Sequence, residues 1–234
     1  MGSATCRKRL LLFGKVPETG RVKTRLVPPL SADSAARLYA AFLSDVVGAS
    51  QFEGEGVETT LYLWPDPGAA GTELTGSHAT LAIQDGTDLT ERMQNAFTAC
   101  FDDGCRHVVL RNTDSPLLPR ARILGAFEAL EDGAELVIGP DHGGGYYLVG
   151  AAAAARESLA PVLAEIGSGP AERVFARTVA RARIERLATF VLRTEDDVDD
   201  AEDLARLRAQ LAEDHDRAPA TRRVLLHLFG ATQP

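Results

Sequence analysis

Residues 9–14, Arg-Leu-Leu-Leu-Phe-Gly, are a short apolar run stopped by a glycine, and residues 14–26, GKVPETGRVKTRL, follow as a cation-rich loop. A strand covered on both faces reads as an unbroken apolar run rather than as alternation, so Arg9 to Phe13 is expected to lie inside a sheet. The same unit recurs along the chain. Ala79 to Gln84, His107 to Arg111, Glu135 to Gly139 and Tyr146 to Val149 are further short strand candidates, and Glu58 to Trp64 alternates up to Pro65. Arg186 to Arg193 is the last candidate.

Helical patterns separate these runs. Ser31 caps a helix to about Val47, with Leu38, Tyr39, Phe42 and Val46 recurring at three- and four-residue steps. Asp88 opens a helix from Leu89 to Phe101, and others are expected at Pro119 to Leu130, Asp200 to Leu211 and after Pro219. The alanine-rich stretch Ala151 to Ala155 reads as helical, with breaks near Pro161 and Gly167 to Pro170. Short strands alternating with helices predict an α/β fold, a single mostly parallel central sheet flanked by helices, with ligands beyond the carboxyl ends of the strands. Residues 1–213 are expected to form this domain and residues 214–234 a C-terminal helical appendage.

Composition narrows the function classes. The 234 residues carry 25 Lys+Arg against 33 Asp+Glu, and 45% are apolar, which suits a globular chain rather than a disordered one. Residues 1–26 hold seven cations against Glu18 alone, so this end carries +6 of a net −8 and the remainder −14. One basic end on an acidic protein points to a local anion site and away from a general nucleic-acid binder. Cys6, Cys100 and Cys105 make no CxxC spacing, which fits a cytoplasmic protein, and no apolar run is long enough to span a membrane.

Five loops carry the candidate chemistry. In the first, Gly14 and Gly20 are expected to let the backbone approach a ligand, with Lys15, Arg21, Lys23 and Arg25 as donors to phosphate oxygens. The spacing is not that of a Walker A loop. Asn112 to Pro116 places Asp114 at a strand end, where a lone aspartate is ordinarily a turn former but opposite a polyphosphate holds Mg²⁺. Glu195 to Asp203 has seven acids in nine positions, more than capping a helix requires, and Asp197 and Asp199 are candidates for a second metal carboxylate. Gly139 to Tyr147 joins three glycines to two tyrosines, which reads either as a packed turn or as a floor for an acceptor built from Gly144, Gly145 and Tyr146. Gln84, at the start of a strand-to-helix loop, is a plain helix approach or a reader of a nucleobase edge.

These segments, in this order, resemble a bacterial family of arsenosugar-type and uncharacterised glycosyltransferases of the A-type fold, related to 2-phospho-lactate guanylyltransferase. The matching stretches are KVPETGRVKTRL at 15–26, QDGTDLTERM at 84–93, NTDSPLL at 112–118, GPDHGGGYYLVG at 139–150 and DVDDAEDL at 197–204. The resemblance implies a nucleotide-diphospho-sugar transferase (Rossmann-like) fold, Asp114 at the metal position, and the family's KTRL cations at Lys23 and Arg25. The family's aspartate before two glycines and two tyrosines is replaced by Gly143, leaving Asp141 as the nearest acid.

The expected function is a metal-dependent glycosyltransferase using a nucleotide-diphosphate sugar and a small-molecule acceptor. The centre would combine Asp114 with Asp197 or Asp199 around Mg²⁺ or Mn²⁺, Lys15, Lys23 and Arg25 on the phosphates, and Asp141 as the candidate proton acceptor. Nucleotidyl transfer from a nucleoside triphosphate with pyrophosphate release is the alternative, and a non-catalytic nucleotide-binding protein is the third.

Overall fold

The computed structural model describes residues 8–52, 54–68, 71 and 79–230; Cys6 and Arg7 lie outside them. Among the described residues seven strands form one sheet: β1 (Lys8–Lys15), β2 (Val57–Trp64), β3 (Thr80–Ile83), β4 (His107–Asn112), β5 (Leu136–Pro140), β6 (Tyr146–Ala152) and β7 (Thr189–Val191). Their spatial order is β3-β2-β1-β4-β6-β5-β7. β1 pairs in parallel with β2 and β4, β2 with β3, and β5 with β7, while β6 alone runs antiparallel, between β4 and β5. The carboxyl ends of β1, β2, β3, β4 and β5 therefore share one edge with the start of β6.

Alternation within β1 explains why the run is apolar throughout. Leu10 and Leu12 point into one core with α1 (Ala32–Ala49), and Leu11 and Phe13 into the other with α2 (Leu89–Asp102). The first core is completed by α3 (Arg120–Glu131), α6 (Ala201–Glu213) and α7 (Pro219–Phe229), the second by α4 (Arg156–Leu163) and α5 (Val174–Ile184). The capping signals are realised: Ser31 accepts from Ser34 N–H, Asp88 from Glu91 N–H, and Asp200 closes a reciprocal box with Asp203. Asp45, buried on α1, accepts from the first N–H groups of α7 at Ala220 and Thr221, which docks the last helix on α1.

Three local expectations change. Ala151 and Ala152 belong to β6 and only Ala153–Ala155 turn helical, because pairing with Leu136 and His107 overrides the helix preference of alanine. The last strand shrinks to Thr189–Val191, since Arg186 sits at φ +59° in a turn. Pro161 lies inside α4 instead of ending it.

Candidate functional site

A cavity of about 640 Å³ opens at the shared carboxyl edge of the sheet. Of the candidate site residues, all but Gly20 and Gly144 line it: the β1 loop contributes Gly14, Lys15, Arg21, Lys23 and Arg25, the β3 end Gln84, and the β4 end Asp114. Asp141, Gly145 and Tyr146 come from the β5–β6 turn, and Asp197 and Asp199 from the acidic loop.

Lys23 is at the centre. Its ammonium lies 2.5 Å from Asp114 Oδ1 and 2.9 Å from Asp199 Oδ1, with only 6% of the side chain exposed. Burial works against the charged form, but the two carboxylates and their hydrogen bonds outweigh it, so the ammonium is held above its ordinary value. Segments 176 residues apart in the chain are thus joined by one cation, and the Val198 N–H donating to Asp114 O (3.0 Å) ties the acidic loop to the loop after β4 through backbone. Lys23 has φ +47° and ψ +40°, the left-handed region that side chains other than glycine seldom occupy.

Neighbours missed by pattern reading support this centre. Tyr39, which the sequence presents as one more apolar position of α1, accepts a hydrogen bond from Lys15 N–H and shares another with Thr113 Oγ1, each at 2.8 Å, and its ring lies 5.9 Å from the Lys23 ammonium. Arg111 is 1% exposed. It donates through Nε to Asn112 O and through its terminal nitrogen to Ser115 O, bracing the turn that carries Asp114. Burial brings its guanidinium down to about 10 against the opposing charge of Asp114. On the other side, the Arg92 guanidinium stacks 4.2 Å over Trp64 and closes the cavity wall.

Several roles shift once contacts are visible. A Cβ on Gly14 would meet Thr113 Oγ1 at 2.9 Å and Leu43 at 3.0 Å, so this cavity-lining position is also held to glycine by interior packing; Gly20, at φ +78°, serves a turn outside the cavity lining. Arg21 pairs with Glu18 and Arg25 with Asp200, both remaining about 70% exposed at the mouth. Gln84 spends its amide nitrogen on Gly14 O and Tyr62 O, which leaves the amide oxygen for any ligand. A Cβ on Gly144 would collide with the Glu172 carbonyl, so this glycine lies under the 171–173 turn. The Tyr146 hydroxyl is buried facing Thr178, so it offers a ligand no polar group. Asp141 accepts from Gly145 N–H at 2.8 Å and anchors the glycine turn; burial raises its carboxyl above the ordinary range.

Asp197 is raised furthest among the carboxyls, to about 7, first by burial and then by the charges of Asp199 and Asp141. An acid raised on folding binds more protons in the native state, so its stabilising contribution is present at low pH and is lost as pH climbs from about 4 to about 7. In the presence of a chelator, Asp197→Asn is therefore expected to be more stable than the parent above pH ~7 and to lose that advantage below pH ~4.5. Thermal unfolding across that range checks it; a difference independent of pH would contradict the account.

The donor set suits a hard divalent ion, since Asp114, Asp197 and Asp199 supply only oxygens and carry more charge than Lys23 cancels. Among the described residues no three His, Cys, Asp or Glu side chains are grouped as a ready-made metal cage. Mg²⁺ takes one or two protein carboxylates and completes its shell with water and phosphate oxygens.

Fold and cavity define a protein of the nucleotide-diphospho-sugar transferase fold. A crystal structure of a "putative nucleotide-diphospho-sugar transferase" from Desulfovibrio desulfuricans G20 is 32% identical, covers 94% of this chain and 96% of its own, and superposes with a TM-score of 0.83. The chain belongs to the family of that protein, and residues 49–163 match the family described as uncharacterized protein conserved in bacteria (DUF2064). A cytidylyltransferase from Leptospira borgpetersenii serovar Hardjo-bovis (15% identity, 95% and 94% coverage, TM-score 0.54) shares the fold. So does CMP:2-keto-3-deoxy-manno-octonic acid synthetase complexed with CTP (11%, 89% and 99%, 0.53). No curated protein matches the chain.

Proposed function

We propose that this protein is a divalent-metal-dependent transferase that takes a nucleotide-diphosphate sugar as donor and modifies a small-molecule acceptor. The observation that carries the reading is the ionic centre at the cavity: Asp114 and Asp199 on Lys23, with Asp197 beside them and Lys15, Arg21 and Arg25 around the mouth. Glycosyl transfer from a sugar nucleotide requires the charge of the departing diphosphate to be neutralised by groups fixed beforehand. Mg²⁺ or Mn²⁺ held by Asp114 with Asp197 or Asp199 would supply Lewis acidity to the phosphate oxygens. Arg111 and Tyr39 hold the loops that carry these groups, and the mouth cations attract the anionic donor. The name of the Desulfovibrio relative supports a sugar-nucleotide donor, and the five motifs support the finer arsenosugar-type assignment.

Nucleotidyl transfer is the second reading, favoured by three cations at the mouth, more than a diphosphate requires. The third, nucleotide binding without turnover, is favoured by the engagement of Asp141 with the glycine turn, which leaves it poorly placed as a base.

Calorimetry with nucleoside diphosphates, triphosphates and sugar nucleotides, with and without Mg²⁺, tests the reading. Binding is expected to be strengthened by the metal, and Asp114→Asn to lose that strengthening, a weakening of about tenfold or more. Nucleoside diphosphate as product supports glycosyl transfer, pyrophosphate nucleotidyl transfer; metal-independent binding unchanged in Asp114→Asn would remove the proposed centre.

A further inference from the structure

We infer that β7 is an interface through which two copies of this chain associate as a two-fold dimer, extending the sheet across the join. Among the described residues β7 ends the sheet and pairs on one side only, with β5. Leu136 N–H donates to Ala188 O and Leu192 N–H to Ile138 O, so residues 188 and 192 turn their polar groups toward β5. By alternation, Thr189 and Val191 direct theirs outward. Edge strands are ordinarily blunted by lysine, proline or a bulge. Here the strand reads Thr-Phe-Val, with Phe190 49% and Val191 44% exposed.

The occupant follows from register and charge. Antiparallel pairing of the edge with its own copy, centred on Phe190, sets Thr189 opposite Val191 of the second copy, so both pairs exchange N–H···O=C bonds. Phe190 then faces Phe190 in the non-hydrogen-bonded position, where side chains approach most closely. Phe190 pairs with Val137, whose side chain joins the core under α3, so the two phenyl rings meet on the α3 side.

On that side a groove of about 490 Å³ runs between α3 and β7. Its ends differ in sign: Arg122, bonded to Glu195, and Arg193 lie toward the end of β7, while Glu128 and Asp132 lie where α3 leads into β5. None of Glu128, Asp132 and Arg193 forms an ion pair with another described residue. A two-fold axis at Phe190 reverses this polarity across the interface and brings Arg193 of each copy toward Glu128 and Asp132 of the other. Such self-complementarity is what an isologous contact requires, and a foreign partner would have no reason to match it.

The test is sedimentation velocity of the full chain over a concentration series in the micromolar range. The parent is expected to be dimeric, and Phe190→Arg to shift self-association at least about tenfold toward monomer with an unchanged circular dichroism spectrum. A second measurement does not depend on weakening the contact: Phe190→Cys in a Cys6→Ser background should give a disulfide-linked dimer on mild oxidation, because position 190 meets itself across the axis. Monomer at every concentration would overturn the inference. So would a dimer that Phe190→Arg leaves intact and that Phe190→Cys fails to link.

Discussion

Lys23→Met is expected to unfold about 5 °C below the parent protein, and to regain most of that loss when Mg²⁺ is added. The methionine has nearly the length of lysine but no charge, so Asp114 and Asp199 are left facing each other beside Asp197 without their shared cation. Breaking a fully buried pair in this way costs about 3–5 kcal/mol. Here the carboxylates keep 34% and 45% of their side-chain surface in water, which screens the repulsion and brings the expected cost nearer ~2 kcal/mol. For a chain of this size each kcal/mol moves the midpoint by about 2–4 °C. A divalent ion restores the missing charge, so the variant should gain more from Mg²⁺ than the parent does. Differential scanning calorimetry with chelator and with Mg²⁺ measures both. A midpoint unchanged by the substitution would mean that the ammonium does not hold the two loops together.

Arg111→Met is expected to lower stability by about 2–3 kcal/mol and to abolish nucleotide binding together with it. The side chain is enclosed and its two donors go to carbonyls of the turn between β4 and α3. Each buried carbonyl left without a donor costs about 1–3 kcal/mol, partly offset because a buried guanidinium no longer has to be desolvated. Arg111→Lys keeps the charge but cannot reach both carbonyls, so it should recover less than half of the loss. Denaturant titration gives the stability and calorimetry the binding. Full stability in the methionine variant would show that the turn holds Asp114 unaided.

The order of strands and helices was legible because the evidence for it is local. Leu10 to Phe13, the caps at Ser31, Asp88 and Asp200, and the glycine turn all act within a few residues. β6 was only half legible: nothing near Ala151 says that Leu136 and His107 wait on either side, and alanine alone favours helix. In the site, the charged residues announced themselves by type and by their place at strand ends. Their partners did not. The type of Lys23 does not disclose that Asp114 and Asp199 sit on it, nor does Gly14 disclose that Thr113 packs against it. Tyr39 and Arg111 were hidden because one keeps the helix period and the other ends a strand, so each satisfies a simpler rule than the one that places it.

The backbone at Lys23 prefers a glycine, and the chain supplies a lysine there instead. A left-handed residue bearing a side chain costs about 1–2 kcal/mol, which Lys23→Gly would recover while removing the ammonium. Drift toward an easier main chain at this position therefore disarms the pocket. The strain of this one residue is thus set against the two ion pairs that its side chain makes with Asp114 and Asp199, so relaxing the backbone and keeping the loops joined pull in opposite directions.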